Sequence, residues 1–359
     1  MYKSIFTAFI LSLFSLFTFA QGPSTNIGQR TFHFKDEKRS RLLITEVWYP
    51  TTDTPQQSDK AFSPFTRVNT VRDGKLSSVR LPLIMLSHGT GGSRLSLEWL
   101  ADALVKSGFI VAAADHWGNT YDNKIGIEFV KPWERPQDIS FVLTSLLNDH
   151  DFKPVINQDK IGAAGFSFGG FTVIALAGGK FDFMALRAYY KTAGKKELEI
   201  PEYPNLAKYL DDSTLLAGAK NYPPLQDKRI KAFFSISPAL GPGFMSAKQV
   251  KDIAGPVYIV GSQSDSIAPV KTNALRYHEF IKGSQYYVNP GKTGHYVMLQ
   301  EAIDEVKKEA PTYFTDDPSV SRHQVHLKVD SLAVGFFKKK FEIGLKTLQL
   351  PVSFITFLY

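Results

Sequence analysis

From residue 81 onward the chain alternates short apolar stretches with segments of helical spacing, and this alternation constrains the fold more than any other feature. "LPLIMLSHG" at 81–89 reads as a buried strand, and "SLEWLADALVKSG" at 96–108 has helical spacing and stops at a glycine. "FIVAAADH" is a strand, "RPQDISFVLTSLLND" a helix, "KIGAAGFS" a strand and "FGGFTVIALAG" a helix. Further on, "KAFFSIS" and "PVYIVGSQSD" read as strands, "VKTNALRYHEFI" as a helix, and "SQYYVNPGKTGH" as a last strand with its loop. A C-terminal helix covers "VDSLAVGFF". Strands that are apolar throughout, alternating with helices, predict a mostly parallel sheet covered on both faces, the α/β class. Upstream, "RTFHFKD" and "RLLITEVWYP" look like an antiparallel pair at one edge, and the polar, turn-rich residues 51–80 read as a surface excursion. Residues 180–228, rich in Tyr, Lys and Leu, interrupt the alternation and read as a helical, cap-like insertion.

The chain has 359 residues, which suits one large α/β domain over 21–359, and a core of that size needs no disulfide. Cysteine is absent, which removes cysteine nucleophiles, zinc thiolate sites and iron–sulfur ligation. The formal charge is +8, but Lys and Arg are scattered. "KKK" at 338–340 follows an apolar helical stretch and reads as a solvated helix end, so no nucleic-acid partner is expected. At the N-terminus, "MYKSIFTAFILSLFSLFTFAQ" has an early lysine, an apolar run, and Thr18-Phe19-Ala20 before Gln21. This is the pattern of a secretory signal peptide, residues 1–20, cleaved after Ala20. An uncleaved anchor is the alternative. The expected product is exported, periplasmic or secreted. The apolar tail "LQLPVSFITFLY" is too short, and broken by Pro351, for a membrane span.

One motif carries chemistry. Gly165-Phe166-Ser167-Phe168-Gly169 is G-x-S-x-G, placed where a strand passes into a helix. There a sharp bend lifts the serine hydroxyl above the sheet at a helix N-terminus, where negative charge is favoured. A plain glycine-rich turn is the competing reading. A serine hydroxyl needs a base and an acid to become nucleophilic, and the motif comes with the chain order serine, acid, histidine. Of the four histidines that follow Ser167, His278 lies inside a helix segment, while His323 and His326 open the last helix. His295, in the glycine-flanked loop "NPGKTGHYVML" after a strand, is the candidate base. Asp265, in "PVYIVGSQSDSIAP", is the candidate acid; Asp252 sits in a polar helical region and Asp182 in the insertion. Two backbone N–H groups must face the developing oxyanion. Phe168 offers one, and Thr90 in "LSHGTGGSR" the other, with Gly89, Gly91 and Gly92 allowing the turn. That loop lacks the G-x-x-x-x-G-K-[ST] pattern of a phosphate cradle. His323 and His326 at spacing three lack a carboxylate-rich partner motif, and the pair His116-Trp117 suits either pocket lining or packing. No metal and no cofactor are expected.

"LPLIMLSHGTGG", "VAAADHWGNTYDN", "WERPQDISFVL", "IGAAGFSFGG" and "NPGKTGH" together resemble the bacterial α/β-hydrolases grouped with platelet-activating-factor acetylhydrolase and the predicted dienelactone hydrolases, over roughly residues 40–340. The resemblance implies an α/β-hydrolase fold and a carboxylic-ester hydrolase. Ser167 and His295 fall on the family's catalytic positions, and Thr90 and Phe168 on its oxyanion positions. Two departures stand out. True dienelactone hydrolases use a cysteine nucleophile, which this chain lacks. The acetylhydrolases place their acid after the sixth strand, where this chain has "SISPALGPGF" with no carboxylate, so the acid moves to Asp265. The expected activity is a serine esterase or lipase-like hydrolase on a small-molecule or lipid ester, with the insertion choosing the acyl chain. An amidase or peptidase on the same scaffold, and a non-catalytic binding module, are the alternatives.

Overall fold

The computed structural model describes residues 26–56 and 65–343. The expected signal peptide and the apolar tail lie outside the described residues. Among the described residues nine strands form one sheet: β1 (Asn26–Asp36), β2 (Arg41–Thr51), β3 (Val71–Arg72), β4 (Leu81–Ser87), β5 (Ile110–Ala114), β6 (Ile156–Phe166), β7 (Ile230–Ile236), β8 (Val257–Ser262) and β9 (Gln285–Asn289). Their spatial order is β3-β1-β2-β5-β4-β6-β7-β8-β9. β2 runs antiparallel to both β1 and β5, whereas β5, β4, β6, β7, β8 and β9 are parallel. The serine-bearing β6 is therefore central, with β4 beside it on one side and β7, β8 and β9 following in order on the other.

Side-chain alternation along the strands feeds two cores. Leu83 and Met85 of β4 face one side with α2 (Glu134–Asn148), α3 (Phe168–Ala177) and α6 (Ala274–Phe280). Ile84 and Leu86 face the other side with α1 (Glu98–Lys106) and α9 (Arg322–Phe341). Every residue of α3 is buried, the state expected of a helix apolar all round, and it ends at Gly178 in the left-handed region, φ +119°. Residues 180–228 form α4 (Phe183–Tyr190), 3-10 turns at Lys195–Leu198 and Leu206–Tyr209, and α5 (Ser213–Asn221). They pack into the α2/α3 side of the core through Phe183, Leu186, Leu206 and Leu215.

Three local expectations change. The helix expected at "VKTNALRYHEFI" begins only at Ala274, because residues 269–273 are held in turns, with Thr272 N–H and Asn273 N–H both donating to the Pro269 carbonyl. The last helix is longer than "VDSLAVGFF": the Ser321 side chain caps it by accepting from Gln324 N–H, and it runs to Phe341. The stretch 51–80 is more than a surface excursion, since its β3 adds a parallel edge strand to β1 and Phe65 bridges to Ala302. A final short pair, α7 (Asp304–Glu309) and α8 (Pro311–Phe314), follows the loop after β9. No helix among the described residues is long and apolar enough to cross a membrane.

Candidate active site

Ser167 sits between β6 and α3 with φ +57° and ψ −116°, a conformation that costs on the order of 1–3 kcal/mol for a non-glycine residue. The surroundings hold it there. Its N–H donates to Ile236 of β7, and its carbonyl accepts from Phe171 and Ala239. Two motif glycines are sterically required. A Cβ on Gly165 would lie 2.3 Å from the Gly169 carbonyl oxygen, and one on Gly169 would lie 1.9 Å from that of Ser87. Strand, elbow and helix therefore pass too close for any side chain at either position.

The loops after β8 and β9 bring the other candidates to this point. Ser264 N–H donates to the Thr293 carbonyl and the Ser264 hydroxyl to that of Gly291, which ties the two loops together. Asp265 closes a turn, its Oδ1 accepting from Ile267 N–H (3.0 Å) and Ala268 N–H (2.7 Å). Its other oxygen lies 2.6 Å from His295 Nδ1, and His295 Nε2 lies 2.9 Å from Ser167 Oγ. All three are buried, at 5–6% exposure. A buried carboxylate acceptor fixes the tautomer, with the proton on Nδ1 and Nε2 left to accept from the serine hydroxyl. Thr90 lines both cavities that meet at Ser167. Phe168, first residue of α3, lines the smaller.

The other sequence candidates are elsewhere. Asp252 is an exposed partner of Lys180, and Asp182 caps α4 by accepting from Ala185 N–H. His278 contacts the Ser284 hydroxyl. His323 pairs with Glu301, whereas His326 is buried, stacks on Trp99 and bonds the Val297 carbonyl. His116 has no exposure, so of its two readings packing is the one observed. It belongs to a second Ser–His–Asp chain: His116 Nε2 is 2.9 Å from Ser87 Oγ, and its Nδ1 is 3.0 Å from Asp138. Burial alone would raise the Asp138 carboxyl, but Arg41, which clamps it with two bonds at 2.8 and 2.9 Å, together with the His116 ring bond and the half-buried Arg39, holds it down at about 2. Burial lowers His116 to about 3, so the ring is neutral and its Nε2 accepts from Ser87. Ser87 lines neither cavity at Ser167.

Those two cavities differ in size and walls. The smaller, about 70 Å³, is capped by the insertion through Phe183, Leu186, Tyr190 and Leu206. Its polar groups are occupied: Glu197 accepts from the Tyr189 hydroxyl, and Asn273 accepts from Gly241 N–H. The larger, about 520 Å³, contains His295 and is walled by Tyr121, Tyr296, Tyr313, Phe314 and Phe65, with Glu202 and Lys124 among them. Burial raises the Glu202 carboxyl above its ordinary range. Sequence reasoning missed the α7–α8 wall, because no motif marks residues 304–314. It also left the Arg135 of "WERPQDISFVL" without a role, although a charged residue opening a buried helix was a visible signal.

This arrangement of sheet, elbow and flanking helices is the α/β-hydrolase fold. The chain shares it with many solved structures, among them a ferulic acid esterase from Streptomyces cinnamoneus, with a TM-score of 0.54 and 16% identity over 89% of this chain and 92% of that one. At that identity the likeness is one of fold. No protein-family model and no curated protein sequence matches the chain.

Proposed function

We propose that the chain is an exported serine hydrolase that cleaves carboxylic esters, with Ser167 as nucleophile, His295 as base and acid, and Asp265 as its orienting partner. One observation carries the reading: His295 bridges Asp265 and Ser167 at 2.6 and 2.9 Å, with two cavities meeting at the serine. Export rests on the N-terminal sequence, and ester chemistry is supported by the motif resemblance and by the fold neighbour's own activity.

Ser167 Oγ attacks the ester carbonyl carbon as its proton passes to His295 Nε2. The Thr90 and Phe168 N–H groups receive the oxyanion. When the C–O bond breaks, the departing oxygen takes that proton from His295, so the alcohol must leave on the histidine's side. Water then repeats the sequence on the acyl-enzyme and releases the acid. His295 lines only the larger cavity, which assigns the alcohol to it and the acyl chain to the smaller one. A cavity of 150 Å³ holds benzene, so 70 Å³ suits an acyl chain of about two to four carbons.

The test is p-nitrophenyl ester hydrolysis from acetate to decanoate by the mature protein and by Ser167→Ala. Acetate to butyrate should be preferred, and the substitution should cost several powers of ten in kcat. Activity that survives Ser167→Ala overturns the reading. Anilides with the same acyl groups separate ester from amide hydrolysis.

A further inference from the structure

We propose that Arg135 is a positioning residue for the oxyanion site, aiming and polarising the Thr90 N–H from behind; the inference rests on the serine-hydrolase reading above. Arg135 is the second residue of α2 and is 1% exposed. Its guanidinium donates to the carbonyls of His88 (2.7 Å) and Gly89 (3.0 Å) and lies over the Phe168 ring, 4.5 Å from its centroid. It thus touches both segments that carry the oxyanion donors. Burial lowers it to about 9, so it stays charged at neutral pH.

The Gly89 carbonyl belongs to the same planar peptide group as the Thr90 N–H. No cis peptide occurs among the described residues, so C=O and N–H point in opposite directions. A donor fixed on the carbonyl side therefore turns the N–H away from Arg135. The same carbonyl takes a second donor. His88 Nε2 accepts from His116 N–H (3.2 Å), and burial beside Arg135 keeps that ring neutral, which leaves its proton on Nδ1, 2.7 Å from the Gly89 oxygen. Gly92 N–H adds a longer bond of 3.3 Å, and three donors on one carbonyl, one of them cationic, draw electron density from the amide and make its N–H a stronger donor. The charge is buried beside the site, and no carboxylate among the described residues is bonded to it. Its effect grows as the oxyanion forms.

The experiment measures kcat, KM and the affinity of a trifluoromethyl ketone, which forms a tetrahedral adduct with the serine, for wild type, Arg135→Lys and His88→Gln. Val329→Ala, in α9 on the opposite face of the sheet, controls for lost stability. In Arg135→Lys, kcat should fall about 10- to 100-fold with KM within about threefold, and ketone affinity should fall in parallel. His88→Gln removes one of the two side-chain donors and should lose about three- to tenfold in kcat with KM unchanged. It decides the matter if Arg135→Lys does not fold. Unchanged kcat in either folded variant overturns the proposal, as does an equal loss in Val329→Ala at matched melting temperature. Ser167→Ala is run alongside. If wild-type activity does not need Ser167, the serine-hydrolase reading itself falls; if it does and Arg135→Lys is unaffected, only the present inference falls.

Discussion

The tightest constraint on single residues is steric. Gly169 faces the Ser87 carbonyl at a distance no Cβ tolerates, and both neighbours are backbone that cannot rotate away. Gly169→Ala should therefore fail to give soluble folded protein, while Ser167→Ala folds as wild type; circular dichroism and melting curves on the two variants check this. Ser167, Asp265 and His295 were named from short patterns at strand ends, and these are the side chains the structure brings within bonding distance. Such residues are legible because the local sequence dictates where a strand stops and a loop begins. Arg135 was not legible in the same way. Its partners are carbonyls of a loop 46 and 47 residues earlier, and carbonyls leave no signature in a sequence.

Among elements, the strand and helix order was readable because each strand is a run of apolar residues and each helix has its own period. The insertion read as a cap that chooses the acyl chain, but which of its residues reach the cavity was not readable, since that depends on long-range contacts. Within it, α4 sets the depth of the smaller cavity through Phe183, Leu186 and Tyr190. Leu186→Ala should lengthen the preferred acyl chain by about two carbons, at a cost of about 2–4 kcal/mol in stability; the ester series and urea melts read both. The pairing of α1 with α9 has its own pH dependence. Burial raises Asp102 on α1 and Asp330 on α9, each to about 8; Glu98 adds to the effect on Asp102 and Asp102 to that on Asp330, while Lys106 opposes both and Arg67 opposes the first. The folded chain therefore holds protons that the unfolded chain releases above about pH 4. Their contribution is greatest at low pH and is lost as pH rises toward about 8. Asp102→Asn should flatten that decline by on the order of 2 kcal/mol, measured as urea unfolding free energies at pH 5 and pH 8.

At the scale of the whole molecule, the large cavity is assembled from the loops after β4 and β5, the insertion, and the segment from His295 to Phe314. These walls are unequal in strength. β4 after Leu81 and β6 from Ile161 onward are buried on both faces, whereas neither α7 nor α8 has a buried side chain. Amides of 304–314 should exchange with solvent orders of magnitude faster than those of the central strands, and activity toward bulky alcohol esters should disappear at lower urea than the sheet itself; exchange mass spectrometry and parallel activity titrations test both. The molecule also carries Ser87, His116 and Asp138 in the same connectivity as Ser167, His295 and Asp265, sealed beneath the loop that holds Thr90. Of these two constellations only the one at Ser167 opens onto space where a substrate fits. A fluorophosphonate probe, which reacts with whatever serine it can reach, should accordingly add a single label per molecule, and the modified peptide should be the one containing residue 167.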